Sequence, residues 1–233
     1  MNKIHPPRVD YHQGLTLVEN ISRYLAEFRA QSLLDIGAGS SYTAQPLSQR
    51  VQRYLAVEAD VHSVAELRGA GLSVMHGTFP MELPWQFDMV LSSHSVPEDD
   101  ISKYDDFISK AWELTNSGGV LLIITFKGNR GDLNQIREEL LGEAFPSSPE
   151  FSCIINTLKR LGGNVQIERV NSYAESLAAA DLVKFFESWI SGDRAVRERI
   201  RDPFTRIIET RYKVKSSMFV FPTEHLFISC IKQ

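Results

Sequence analysis

Leu33-Leu34-Asp35-Ile36-Gly37-Ala38-Gly39-Ser40-Ser41-Tyr42 is the stretch that decides the fold: an apolar strand runs into a glycine turn and then into a helix. Glycine allows unusual dihedrals and close backbone approach where a ligand lies over such a turn. Tyr42 stands where a dinucleotide fingerprint has its third glycine, which argues against a pyrophosphate cradle.

Outward from this turn, short β-type runs alternate with helical patterns. The spacing predicts strands at Ser32–Ile36, Arg53–Glu58, Leu72–His76, Phe87–Ser92 and Val120–Phe126, each pair separated by enough chain for a crossover helix. Leu17, Val18, Ile21, Tyr24, Leu25 and Phe28 form an amphipathic helix ahead of the first strand. Ile101–Thr115 reads as a crossover helix stopped by Asn116-Ser117-Gly118-Gly119. Glu150–Leu161 reads as another helix, and Val165–Val170 as a sixth strand. The alternation then breaks: Leu177–Ile190 and Ala195–Tyr212 are two helices in succession. Ser217–Phe221 and Leu226–Ile231 flank Pro222-Thr223-Glu224-His225 as an antiparallel hairpin at the sheet edge. The expected fold is therefore α/β: a Rossmann-like, seven-stranded, mostly parallel sheet with an antiparallel last hairpin and a helical insertion before it. Residues 1–233 are read as one domain, with 1–30 as a helical lid and 172–215 as the insertion.

Composition narrows the function classes. With 25 basic and 29 acidic residues the formal net charge is −4, so nothing global attracts nucleic acid or an anionic membrane. Cys153 and Cys230 lack metal-ligand or paired spacing. Neither a signal peptide nor a membrane span is read in the sequence, and the expectation is a cytoplasmic protein without a bound metal.

Asp35 lies two positions before Gly37, suited to the ammonium of an amino-acid-bearing sulfonium cofactor rather than to phosphate. Ala56-Val57-Glu58-Ala59-Asp60 ends the second strand, where a carboxylate accepts ribose hydroxyls. Glu58 follows the apolar run directly and Asp60 is its understudy. Together with Phe87-Asp88-Met89-Val90 and the leader Trp112–Gly119 before Val120, these segments resemble the class I S-adenosylmethionine-dependent methyltransferase family. The resemblance covers roughly Ser32 to Phe126. It implies S-adenosylmethionine as cofactor, held by Asp35, Gly37, Gly39 and Glu58. It also implies that Thr78 and Phe79 flank the adenine, and that Ser93 and His94 line the mouth facing the reactive methyl.

Methyl transfer requires alignment, exclusion of water and, for some acceptors, removal of a proton. His94 is the candidate catalytic group, since imidazole titrates near neutrality; a histidine that only packs against the cofactor is the alternative. Tyr11 and His12 precede the first helix, where this family folds a lid, and are candidate substrate contacts that could equally cap the helix. Phe186 and Trp189, in the stripe Leu182, Phe185, Phe186, Trp189, Ile190, are further candidates, although such a stripe usually packs a core. Extra helices here roof the pocket of small-molecule members, and the layout is loosely similar to the histamine N-methyltransferase type. A small-molecule acceptor, methylated on N or O rather than C, is the first expectation. The Arg-rich run from Arg194 to Arg211 keeps a protein or RNA acceptor as an alternative, though its interspersed acids weaken it. A non-catalytic cofactor-binding regulator is the other. The sequence leaves a dinucleotide-dependent oxidoreductase as the competing cofactor class and does not fix the oligomeric state.

Overall fold

The apolar runs of the first half of the chain all become strands, and their alternating residues build two cores on opposite faces of one sheet. The computed structural model describes residues 9–10, 12–97, 102–126, 131–144, 150–215 and 218–233. They fall into two compact units: Gly14–Gly128, Ser148–Val170 and His225–Gln233 form the larger, and Met1–Gln13, Asn129–Ser147 and Asn171–Glu224 the smaller.

In chain order the first elements are β1 (Val9–Asp10), α1 (His12–Glu27), β2 (Ser32–Ile36), α2 (Ser41–Ser48) and β3 (Arg53–Glu58). Next come α3 (Val61–Gly69), β4 (Val74–His76), β5 (Phe87–Ser93), α4 (Ser102–Glu113) and β6 (Thr115–Phe126). Then follow α5 (Asp132–Leu141), α6 (Glu150–Arg160), β7 (Asn164–Ser176), α7 (Ala179–Ile190), α8 (Arg194–Arg211), β8 (Lys213–Lys215) and β9 (Met218–Ile231).

The strands of the larger unit run β4-β3-β2-β5-β6-β9-β7. Pairs β3·β4, β2·β3, β2·β5 and β5·β6 are parallel, and β9 runs antiparallel to β6. This is the expected Rossmann-like, mostly parallel sheet with an antiparallel last strand. The chain leaves β2 in one direction for β3 and β4, then returns on the other side to β5. The gap between the β2 and β5 ends is therefore a topological switch point, where ligands of open α/β sheets bind. On one face Leu34, Ile36, Val90, Leu121 and Ile123 pack with Tyr104, Phe107 and Ile108 of α4 and Ile154 and Leu158 of α6. On the other, Leu33, Met89, Leu91, Val120 and Leu122 pack with Leu17, Val18, Ile21, Tyr24 and Leu25 of α1. The two-residue strand period produces this division. From Leu17 onward α1 is thus a core layer, which leaves only its start for a lid.

Four expectations are corrected. The final segments are not a hairpin: Met218–Ile231 is one continuous strand, and the Leu226–Ile231 part lies between β6 and β7 instead of at an edge. Phe221, Thr223 and His225 are buried while Pro222 is exposed, so the supposed turn keeps the alternation of a strand. Between β4 and β5, Gly77–Gln86 contains no helix, consistent with Pro80 and Pro84 inside it. The strand read at Leu72–His76 is reduced to Val74–His76. An unanticipated helix occupies Asp132–Leu141.

In the smaller unit α5, α7 and α8 share one core made of Leu133, Ile136, Leu182, Phe186, Ile200, Phe204 and Ile208, with Phe219 and Phe221. The two helices expected in succession are α7 and α8. Val9 and Asp10 pair antiparallel with Ser176 and Glu175, and β8 pairs antiparallel with the start of β9. Among the described residues no helix is long and apolar enough to cross a membrane.

Candidate functional site

The carboxyl ends of β2, β3 and β5 bring together most of the residues expected at the cofactor. Gly37 and Gly39 both take left-handed dihedrals, with φ +69 and +62. A side chain is strained in that region, so glycine is favoured at both. Gly37 has a second constraint, since an added Cβ would overlap Ser95 Cβ, whereas at Gly39 the space is open. Ser95 was not singled out in the sequence. Its hydroxyl donates to Ile36 O at 2.5 Å and lies 2.9 Å from Ser92 Oγ, tying the loop after β5 to the turn after β2.

Glu58 is buried at the end of β3, and its carboxylate is fixed from two sides. Oε2 accepts from Gly39 N at 2.8 Å, and Oε1 accepts from Ala59 N and Asp60 N, each at 2.8 Å. Asp60 is occupied otherwise: it caps α3 by accepting from His62 N and Ser63 N. Of the two acidic candidates, Glu58 is therefore the one beside the glycine turn.

Asp35 lies within β2, 4% exposed, and accepts one hydrogen bond, from Tyr54 Oη at 2.8 Å. Burial pushes its carboxyl up to about 6, against the opposing Tyr54 bond and with a smaller contribution from Glu58. Burial and Asp35 together raise the Tyr54 phenol as well, so it stays a donor. Among the described residues no cation pairs with this carboxyl, so burial is unopposed by any positive charge.

Thr78 is exposed after β4, but the neighbouring Phe79 turns its ring into the core, edge-on to Phe107 at 5.0 Å. Phe79 thus packs the sheet face, and Thr78 is the residue of that pair left at the surface. Ser93 ends β5, paired in register with Ile124. His94 follows it with φ +54, its N–H donating to Ile124 O at 2.8 Å. The His94 ring stacks on Phe126 at 4.1 Å, and its Nε2 lies 3.1 Å from His225 Nδ1. His225 is fully buried, and burial pushes it down to about 4. It escaped the sequence reading because it was placed in a turn.

Of the four substrate candidates, only Phe186 has a described side chain. Tyr11 lies outside the described residues, as do the side chains of His12, which begins α1, and Trp189, in α7. Phe186 is 0% exposed in the core of the smaller unit, its ring 4.5 Å from that of Phe221 and 4.7 Å from that of Phe185. That burial corrects its assignment as a substrate contact. Three of the six arginines of the Arg-rich helix are ion-paired: Arg194 with Glu198, Arg201 with Glu187 and Arg211 with Glu139.

A glycine turn, an acidic end on the neighbouring strand and a switch point define a nucleotide-type site on a Rossmann-like sheet. Among solved structures, the fold is that of S-adenosylmethionine-dependent methyltransferases. An S-adenosylmethionine-dependent methyltransferase from Archaeoglobus fulgidus is 16% identical, with TM-score 0.57 over 93% of this chain and 94% of that one. The N-methyltransferase NodS of Bradyrhizobium japonicum is 11% identical, with TM-score 0.57 over 96% and 99%. Precorrin-6y C5,15-methyltransferase of Geobacter metallireducens is 15% identical, with TM-score 0.54 over 92% and 87%. At these identities the likeness is one of fold. No protein-family model and no curated protein sequence matches the chain.

Proposed function

We propose that this chain is a cytoplasmic S-adenosylmethionine-dependent methyltransferase that methylates a small molecule on nitrogen or oxygen. The observation that carries the reading is the Glu58 carboxylate, buried at the end of β3 and bonded to the backbone of the Gly37–Gly39 turn. A carboxylate offers about four acceptor positions. Three are taken by Gly39, Ala59 and Asp60 N–H groups. For both ribose hydroxyls to be accepted, the Gly39 bond gives way, so nucleoside binding is coupled to the glycine turn. Asp35 would face the ammonium end, since a cation favours its ionised form and relieves the penalty of burial. Thr78 would lie beside the adenine, and Ser93 at the methyl.

When bound, the cofactor supplies an electrophilic methyl group on a sulfonium. The chain's own task is then alignment and proton handling. His94, which follows Ser93 in the segment closed by the Ser92–Ser95 hydrogen bond, would take the proton of an N–H or O–H acceptor. Such a base suits nitrogen and oxygen better than carbon. Of the neighbours, one is named for N-methylation and another for C5,15-methylation of precorrin-6y, so their names support a small acceptor without separating nitrogen from carbon. The ion pairs of Arg194, Arg201 and Arg211 lower the positive charge that α8 offers to phosphate, which favours a small acceptor over RNA.

The test supplies methyl-labelled S-adenosylmethionine to the protein with a cell extract divided by ultrafiltration. Label is expected in the small-molecule fraction and is expected to be lost with Glu58→Ala. Label in the macromolecular fraction would replace the acceptor class. Cofactor binding with no transfer to any fraction would favour a regulator.

A further inference from the structure

We propose that His225 is a positioning residue for His94: from β9 it holds the Nε2 edge of the His94 ring, so that the acceptor's proton is received at the second nitrogen, Nδ1. This rests on the reading of His94 as the proton acceptor and deepens it.

The contact is nitrogen to nitrogen, Nε2 to Nδ1 at 3.1 Å, so one hydrogen lies between the rings and one ring donates it. His225 is 0% exposed, and burial is the cause that keeps it neutral through the physiological range. A neutral His225 has one acceptor nitrogen. With Nδ1 in that role, it accepts from His94 Nε2–H both before and after His94 gains a proton. The reverse arrangement, His225 Nδ1–H donating to His94 Nε2, would have to break when the His94 cation forms, because both nitrogens of an imidazolium are donors. Only the first arrangement survives a catalytic cycle unchanged.

The rest of the local structure holds the His94 ring against that partner. Phe126 stacks on it with planes 29° apart, and Phe126 is the cross-strand partner of His225 in the β6·β9 register. His94 keeps a left-handed backbone, φ +54, which a non-glycine residue adopts at a cost and which is found where surroundings over-determine it. The Ile124 carbonyl fixes that backbone through the His94 N–H. In the step itself, the proton leaves the acceptor's N–H or O–H and bonds to Nδ1, turning neutral His94 into the cation. The cation then releases the proton to solvent, and the His94 Nε2–H goes on donating to His225 Nδ1 throughout.

The test is nitrogen NMR on the full chain carrying ¹⁵N-labelled histidine, with calorimetry of S-adenosylmethionine binding in parallel. A through-hydrogen-bond coupling between His94 Nε2 and His225 Nδ1 is expected, with the proton on His94 Nε2. In His225→Leu the titration midpoint of His94 is expected to fall by about 1 pH unit, because the imidazolium loses its acceptor. His225→Asn, which offers an amide oxygen instead, is expected to restore most of that loss. Phe126, which stacks on His94, carries no titrating group of its own. A proton found on His225 Nδ1, or an unmoved midpoint in His225→Leu, overturns the proposal. The spectrum of the unaltered protein decides the tautomer even where a variant does not fold. Absence of cofactor binding to the unaltered protein would count against the methyltransferase reading, whereas intact binding with an indifferent His94 counts against the His225 role alone.

Discussion

Gly37 and Gly39 share a left-handed backbone but differ in surroundings, and the difference separates folding from binding. Gly39→Ala meets open space, so only the dihedral strain of about 1–2 kcal/mol is expected, together with weaker cofactor binding. Gly37→Ala adds the overlap with Ser95, and its urea midpoint is expected to fall well below that of Gly39→Ala. Equal midpoints would mean that Ser95 does not press on the turn. Asp35 makes a second prediction at this scale. Its folded carboxyl holds the proton more tightly than the unfolded one, whose ordinary value is 3.8, so stability is present below about 4 and is lost as pH rises through about 6. Asp35→Asn removes that loss. Relative to the unaltered protein it is expected to gain up to about 3 kcal/mol between pH 4 and pH 8, while binding the cofactor more weakly. Urea melts at the two pH values check it, and a gain that does not grow with pH would contradict the account of burial.

At the scale of elements, the opposite end of the sheet is tied by Asp88. Its Oδ2 accepts from Gln31 N, Ser32 N and Ser32 Oγ, and its Oδ1 from Asn116 Nδ2. Burial alone would raise this carboxyl, but the bonds from Asn116, Ser32 and Gln31 outweigh it and hold it below the usual range. One side chain thus binds the starts of β2, β5 and β6. Asp88→Ala is expected to cost about 2–4 kcal/mol in urea unfolding, by stranding several donors, without altering cofactor affinity per folded molecule. Asp193 accepts from Ala195 N and Val196 N at the start of α8. Its replacement by Ala is expected to cost only about 1 kcal/mol, measured in the same way.

The Phe-Asp-x-Val segment was legible as a strand, yet its aspartate serves architecture rather than the site. Strands Ser32–Ile36 and Arg53–Glu58 were legible to the residue, because mainly apolar runs end there at a glycine turn and an acid. β9 was not. Pro222 punctuates locally, whereas its solvent-facing position lets the strand continue, and position in a sheet is tertiary information. That single misreading hid His225, whose role depends on Phe126 opposite it. Phe79 and Phe186 were misjudged for the complementary reason: an aromatic residue reads alike in a pocket and in a core, and only burial separates them.

At the scale of the molecule, the parallel order of the sheet gathers residues distant in sequence at one switch point. Asp35, the glycine turn, Glu58 and Ser93–Ser95 all lie at or next to carboxyl ends of parallel strands. His225 reaches His94 only because the last strand runs antiparallel beside β6. The claim that this arrangement is built for S-adenosylmethionine is tested most directly by calorimetric titration of the full chain with that cofactor and, separately, with NAD. The account expects one site for S-adenosylmethionine, weakened about 10- to 100-fold by Glu58→Ala as a charge-assisted hydrogen bond is lost, and no saturable heat with NAD. Absence of binding, equal binding of NAD, or indifference to Glu58→Ala would contradict it.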